Sequence, residues 1–377
     1  MIAAAHIVEF LRRIALLCRK EFLAILKDPS TRIVLFAPAL IQTFLFGYAA
    51  TYDLVDVPYA LLDQSHGGAA RALVARLDGT GVFRRIATLR SPSDIAPAVE
   101  RHKALVVLHI GPHFEQQLQA GETAPVQLII DARNSNTAGS AARFVTSVIA
   151  DFNRQWSADH GGIPPPLRIE MRSWFNPNLE TRWYIVPSLI ATLSMLQTLL
   201  LTALSVVRER EQGTFDQLLV TPLSPAEIMV GKALPPMVIG LAQSTIILAV
   251  ALFWFRIPLA GSLFTLYGGL ALFTLASVGI GLSISALTST MQQATLYSFI
   301  LIMPLMLLSG LATPIANMPQ ALQIVTLANP LRFAIDLVQR VYLEGVGFAQ
   351  LGYNLLPMLV IAAITLPLAG WLFRHKL

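Results

Sequence analysis

Side chains able to do chemistry are few in this chain and gather in one place. The densest charge run is Arg208-Glu209-Arg210-Glu211, which ends an uncharged stretch from Ile185 to Val207. The run reads as a helix continuing into water, its charges paired locally as a solvated helix end. Gly213 then breaks the helix. Thr214-Phe215-Asp216-Gln217 has the form of a capping box: the Thr214 hydroxyl caps, and Gln217 reaches back from the third helical position. Phe215, Leu218 and Leu219 share one face of the short helix that follows. Pro222 ends it by disfavouring helical geometry at Thr221. A second box comes next, with Ser224 as cap, Pro225 first and Glu227 third. It starts the helix that carries Lys232 into another apolar run. Spacing alone leaves two readings open. One is a capped rod between two bilayer helices that takes up force from a partner, and the other is a helix lying in the headgroup region.

Elsewhere the residues argue against catalysis. Gly231-Lys232 is followed by Ala233 and lacks the upstream glycine of a G-x-x-x-x-G-K-[ST] phosphate cradle. The chain is expected to bind no cofactor and not to hydrolyse ATP itself. His102, His109 and His113 are scattered, and solvated or core roles fit them better than metal ligation. The uncharged runs offer no residue to relay protons or bind a coupling ion. Gln42, Gln197 and Gln243 are polar positions inside those runs. Contact with a substrate on a translocation path and hydrogen bonding between helices both fit them. Ser277, Gly281 and Ser285 form a small-xxx-small ladder for close helix packing, either within the chain or across a dimer.

The elements that must hold these residues follow from composition. Of 377 residues 55% are hydrophobic and 13% charged, with a mean hydropathy of +0.62; such a chain calls for a bilayer. The net charge of +5 then bears on membrane orientation rather than on nucleic acid. A single cysteine, Cys18, excludes an intrachain disulfide. Arg12, Arg13, Arg19 and Lys20 interrupt any secretory leader, so the N-terminus is expected to be retained.

Six uncharged runs predict spans at 33–50, 185–207, 233–255, 263–287, 294–311 and 355–373. Pro38 and Pro304 are placed to kink the two shortest. Tyr48, Trp183, Tyr184, Trp254 and Trp371 sit at span ends, where amphipathic rings favour the interface. Lys and Arg are dense in residues 1–32, in the 208–232 loop and in the tail at Arg374 and Lys376. The facing loops hold only Arg256, Arg332 and Arg340, so both termini are expected on the cytoplasmic side. Residues 1–32 predict an amphipathic helix with Ile7, Phe10, Leu11, Ile14, Cys18, Phe22 and Ile25 on one face. It would lie on the cytoplasmic surface or pack on the bundle.

Residues 33–50 are the first span, and 51–182 read as an extracytoplasmic α/β domain inserted before the second. Its strands are expected in PYALLD, VFRRIATL, ALVVLHI and VQLIID, with helical patterns between them. Residues 183–377 hold the other five spans. Within them 208–232 is the cytoplasmic loop, and 312–354 is an outer segment that Pro314, Pro319 and Pro330 cut into short helical pieces.

The loop resembles the signature of the type-2 ATP-binding-cassette permeases, the membrane subunits of bacterial ABC exporters. The matching residues are Arg208, Glu209, Glu211, Gly213, Thr214, Asp216-Gln217-Leu218-Leu219, Thr221-Pro222-Leu223, Glu227 and Gly231-Lys232. KEFLAILKDP with FGYA near the N-terminus, WFNPNLETRWYIVPSLI at the second span and LSGLATPIANMPQALQIVTLANPLRF after the fifth are similar to the family pattern as well. Asp216 departs from the Glu usual in the family. The resemblance implies a six-span type-2 exporter fold with the 208–232 loop docked on an ATPase subunit. The expected contacts are Glu209, Glu211, Gly213, Thr214, Phe215, Asp216, Gln217, Leu218, Pro222, Glu227 and Lys232. It also implies two ATPase copies carrying ATP and Mg, and a homodimer or a heterodimer with a sister permease. A periplasmic adaptor protein and an outer segment dipping partway into the membrane complete what the family implies. The cargo would be a small amphipathic, drug-like or lipid-like molecule. An ion-coupled multidrug carrier and a membrane-anchored ligand sensor are the alternatives; the missing ionisable span residues disfavour the first, and the lack of an output domain the second.

Overall fold

The computed structural model describes residues 2–27, 29–49, 54, 56–100, 103–133, 135–160, 175–176, 180–214 and 223–376. Residues 215–222, where most of the first capping box and its short helix are expected, lie outside this set, as do His102 and all of GGIPPPL. The chain forms two compact units, Tyr52–Arg172 and Met1–Thr51 with Ser173–Leu377.

The Tyr52–Arg172 unit is built on four strands, β1 (Val57–Asp63), β2 (Phe83–Thr88), β3 (Val106–Ile110) and β4 (Val126–Ile130). Their order is β2-β1-β3-β4. β1 runs parallel to β2 and β3, and β3 pairs antiparallel with β4. The β-branched and aromatic residues of the four apolar runs suit them to a pleated sheet. Helices α3 (Gly68–Gly79) and α6 (Ser135–Asp159) cover one face. There Tyr59, Leu61, Val106 and Leu108 meet Leu73, Leu77, Val145 and Phe152. Short α4 (Ile95–Glu100) covers part of the other face over Ala60 and Val107. Another short helix, α5 (Phe114–Gln119), follows β3.

The second unit is helical. Its elements are α1 (Ile2–Lys27), α2 (Pro29–Ala49), α7 (Thr181–Glu211), α8 (Pro225–Ala249), α9 (Leu263–Leu287), α10 (Met291–Leu307), α11 (Gln320–Val325), α12 (Pro330–Gln339) and α13 (Gly352–Lys376). Thr181–Glu211, Ala226–Trp254, Leu263–Leu287 and Gly352–His375 are long and apolar enough to cross a membrane. Leu35–Ala49 and Met291–Leu307 are shorter apolar helices. At 1.5 Å per residue the latter is about 26 Å long, short of a hydrocarbon core of about 30 Å.

That fifth apolar helix begins and ends earlier than its uncharged run. Thr290 caps it, its hydroxyl accepting from Gln293 N, and the left-handed turn at Gly310 (φ +93) follows its end. Between it and α13, Gln320–Ala328 and Pro330–Glu344 meet at 85°, the geometry of a broken or re-entrant span. Asn329 makes the corner: its side chain accepts from Leu331 N and donates to Leu305 O. Pro330 supplies the first helical position after it. Arg332, Asp336 and Arg340 lie on the second arm of this pair, outside the six uncharged runs.

α7 is the hub, apolar all round and packed against α2, α8, α9, α10 and α12. The small-residue ladder of α9 faces α7 within the chain. Gly281 lies so close that a Cβ there would stand 2.8 Å from Leu199 O and from Thr202 Cβ. α1 packs on α8 and α2 through Ile14, Leu17, Glu21 and Ile25, while Phe10 and Leu11, expected on the same face, are exposed. Leu17 and Glu21 set the contact because they lie three and seven residues beyond Ile14, one and two turns along the same stripe.

Candidate functional site

The Glu211 end of α7 meets α1, the start of α8 and the α9–α10 connection. Gln212 closes α7 by donating its backbone N–H to Arg208 O and Arg210 O, and Gly213 turns the chain at φ +66. Thr214 N then donates to Glu209 O at 3.0 Å. Where the chain is next described, Ser224 and Glu227 form the expected reciprocal box. Ser224 N donates to Glu227 Oε2 at 2.6 Å, and Glu227 N to Ser224 Oγ at 3.3 Å.

Successive helical residues are rotated by about 100°, so four in a row point around nearly the whole circumference. The Arg208–Glu211 run uses this to reach its neighbours, and among the described residues Glu209, Arg210 and Glu211 each bond outside it. Glu209 turns inward: Oε1 accepts from Lys20 Nζ at 2.6 Å, and Oε2 lies 2.8 Å from Lys232 Nζ. Arg210 donates to Thr288 O at the end of α9. Glu211 accepts from Met291 N at the start of α10 at 3.3 Å, where the helix dipole favours a carboxylate.

Lys232 is the centre of the cluster. Its side chain has 0% exposure, and its ammonium donates to Glu21 Oε1 at 3.0 Å and to Ser205 O at 3.3 Å besides pairing with Glu209. Two lysines and two glutamates therefore form an electrically neutral set, which is how charges can be held away from water. α1 comes this close because Gly231 leaves room for Leu17: a Cβ on the glycine would stand 2.4 Å from Leu17 Cδ2. Cys18 Sγ lies 3.6 Å from Gly231 O. Burial, and then the charge of Glu21, push the Cys18 thiol pKa up. Arg13 pairs with Glu9 and approaches Glu227 at 3.9 Å.

Of the residues singled out from sequence, Glu209, Glu227 and Lys232 are thus buried and engaged inside the chain. Glu211 and Gly213 are exposed, Thr214 is half-buried, and Phe215, Asp216, Gln217, Leu218 and Pro222 lie outside the described residues. Lys20 and Glu21 were missed. Their signal was a carboxylate on the apolar stripe of α1, which demands a buried cation. Gln197 and Gln243 are buried in α7 and α8, Gln42 is half-buried in α2, and the Gln243 Oε1 has no hydrogen-bond partner.

A second polar set joins α12 to α13. Fully buried Asn354 donates to Asp336 Oδ2 at 2.6 Å and to Phe333 O at 3.1 Å, and accepts from Arg340 at 3.0 Å.

Apolar helices of crossing length, a bent helix pair and a charged hub at the end of the central helix define a helical membrane protein with α7 wired to four neighbours. The family model described as "ABC-2 family transporter protein" matches residues 29–371, and this chain belongs to that family. It is 40% identical over 366 residues to the probable multidrug ABC transporter permease YbhR of Escherichia coli strain K12, covering 97% of this chain and 99% of that protein. Similarity extends at 29% identity to the probable multidrug ABC transporter permease YbhS of the same strain, covering 89% of each. It reaches the linearmycin resistance permease protein LnrN of Bacillus subtilis strain 168 at 24%, covering 94% of this chain and 97% of that protein.

Proposed function

We propose that this chain is the permease subunit of an ABC exporter, moving small amphipathic molecules across the inner membrane under power from a separate ATPase subunit. Family membership and the names of the similar proteins support the permease role. The observation that carries the coupling mechanism is the hub at Arg208–Glu211, where one helix end is tied to α1, α8, α9 and α10. A push on the segment between Thr214 and Ser224 would reach both flanking helices through these ties. Coupling is then a rigid-body event, because buried ion pairs and packed helices do not yield gradually.

In this reading the exposed Glu211 and Gly213, together with residues 214–222, face the ATPase subunit. Glu209 and Lys232 act behind them by holding the loop's two flanks together. The six apolar helices span the bilayer with both termini in the cytoplasm, and the Tyr52–Arg172 unit lies outside as a docking surface for an adaptor protein. The bent pair closes the path at the outer side. Two permease copies, or one with a sister chain, pair with two ATPases that carry ATP and Mg. Gln243, with its unsatisfied amide oxygen, is the best placed of the three glutamines to meet cargo.

Co-purification from native membranes tests the reading. An ATPase subunit is expected to elute with the chain, and the Asp216→Arg substitution is expected to abolish both the association and export. Recovery of the chain with no nucleotide-hydrolysing partner, or intact export by that variant, would overturn it.

A further inference from the structure

Beside the ion cluster lies a cavity of about 780 Å³ between α1 and the last turns of α7. Leu16, Ala24 and Leu201 contribute an aliphatic floor, and Arg13, Lys20 and Arg208 stand around it. Arg208 is unusual here. It is half-buried, yet its side chain makes no hydrogen bond or ion pair among the described residues. The carboxylates nearest in sequence and space are already committed, Glu209 to Lys20 and Lys232, and Glu21 to Lys232. A guanidinium is a rigid fork of donors suited to phosphate and carboxylate oxygens. Left unsatisfied in a partly desolvated place it is costly, which points to an anion supplied from outside the chain.

The outer flank of α1 says what kind of anion. Leu16, Leu23 and Leu26 are exposed at 55%, 42% and 43%. Spaced seven and three residues apart, they make an apolar stripe on the side of the helix away from α8. In a chain that crosses a bilayer such a stripe lies against acyl chains. The cavity joins that stripe to a cation, so its occupant has an anionic head and an aliphatic tail. Its volume falls in the range of ligand sites, about 300–1,000 Å³, enough for a lipid head group and the first carbons of its chains.

We propose that this cavity is a binding site for an anionic phospholipid, its phosphate held by Arg208 with Arg13 and Lys20 near, and its acyl chains running over Leu16, Ala24 and Leu201. A lipid there bridges α1 and α7 next to the ion cluster, so membrane composition sets how firmly the two helices are joined. The site goes beyond the permease reading, and its binding test does not depend on transport.

Full-length protein reconstituted in nanodiscs of phosphatidylglycerol or of phosphatidylcholine, then released and weighed by native mass spectrometry, counts retained lipid. Wild type is expected to keep phosphatidylglycerol in preference to phosphatidylcholine. Arg208→Gln is expected to lower that retention about tenfold, with Arg208→Lys in between. Because the Arg208 side chain makes no bond to described parts of the chain, the glutamine variant is expected to keep the wild-type melting temperature in delipidating detergent, where neither protein holds the lipid. A Leu16→Glu variant, which alters the floor and leaves the cation in place, is expected to lose the lipid as well. Glycerol 3-phosphate added in detergent separates a lipid site from a site for a free anion, and it is expected to leave no adduct. Equal retention by wild type and Arg208→Gln, equal retention of the two lipids, or a glycerol 3-phosphate adduct as persistent as the lipid would each overturn the proposal.

Discussion

Lys232 and Glu209 face each other at 2.8 Å across the contact of α7 with α8, and the lysine is wholly enclosed. Lys232 sits between two carboxylates, whereas Glu209 sits between two ammonium groups, one of which reaches solvent. The two are therefore unequal. Removing the lysine leaves Glu21 and Glu209 confronting each other; removing the Glu209 charge leaves an intact Lys232–Glu21 pair. Lys232→Met is expected to cost about 3–5 kcal/mol, the range for breaking a buried pair, and Glu209→Gln clearly less. The Glu21→Gln, Glu209→Gln, Lys232→Met triple variant should recover much of the loss, because no buried charge is then orphaned and the remaining Lys20 reaches solvent. Thermal melts of the purified protein in one detergent give the order of the variants, and equal losses for the two single changes would contradict it.

Close approach of α9 to α7 depends on Gly281, where a Cβ would meet the Leu199 carbonyl at 2.8 Å. Backbone cannot move aside as a flexible side chain can, so Gly281→Ala is expected to cost about 1–3 kcal/mol, the usual range for overpacking. Gly139 is a useful comparison, since the nearest atom to its added Cβ is the mobile end of Arg143 at 3.6 Å. Its alanine variant should melt within about 1 kcal/mol of wild type, or above it, because alanine favours the helix. A Gly281→Ala protein as stable as wild type would show that the contact is looser than described.

Cys18 is the chain's one thiol, so alkylation reports on its site without further engineering. Burial and then the Glu21 charge raise its pKa. Only the thiolate reacts, and a raised pKa keeps its fraction small at neutral pH. The rate should therefore still be climbing with pH beyond about 8.5, the ordinary thiol midpoint. Glu21→Gln removes the coulombic cause and should move the midpoint down. Iodoacetamide labelling followed by mass spectrometry across pH 7–10 measures the shift. A midpoint at or below the ordinary thiol value would refute it.

Much of this architecture could be read from sequence because it is written locally. The Ser224–Glu227 box needs only residues three apart, and the runs around Val57–Asp63 and Val106–Ile110 carry their strand signal within themselves. Pro314, Pro319 and Pro330 mark breaks that the chain obeys: a short helical piece follows each of the first two, and Pro330 opens α12. The hub was only half legible. The charges of Arg208–Glu211 stood out, but their partners did not, since Lys232 meets Glu21 across 211 positions of sequence. Register was the second obstacle. α1 has two apolar stripes, and nothing local decides that Leu17, rather than Phe10 or Leu11, faces the bundle; the missing side chain of Gly231 does. A glycine reads as an absence, and what enters the space is known only once the helices are packed.

Asn354 offers the last test, because it holds the bent pair to α13 by three hydrogen bonds while wholly buried. Its amide donates to a carboxylate and accepts from a guanidinium, a role that neither a leucine nor a charged residue can fill. Asn354→Leu keeps the volume and leaves Asp336 and Arg340 short of partners, with Glu344 the arginine's remaining ion pair at 3.8 Å. A loss of about 2–4 kcal/mol is expected, from unmade hydrogen bonds to charged groups. Asn354→Asp keeps the acceptor for Arg340 but places a second carboxylate beside Asp336, so it should be unstable at neutral pH. Pairing it with Asp336→Asn restores one donor amide and one carboxylate at the two positions, and should recover most of the stability. Melting temperatures of the three variants decide the matter: failure of the exchanged pair to recover would mean that Asn354 is required for its shape and not for the bonds it makes.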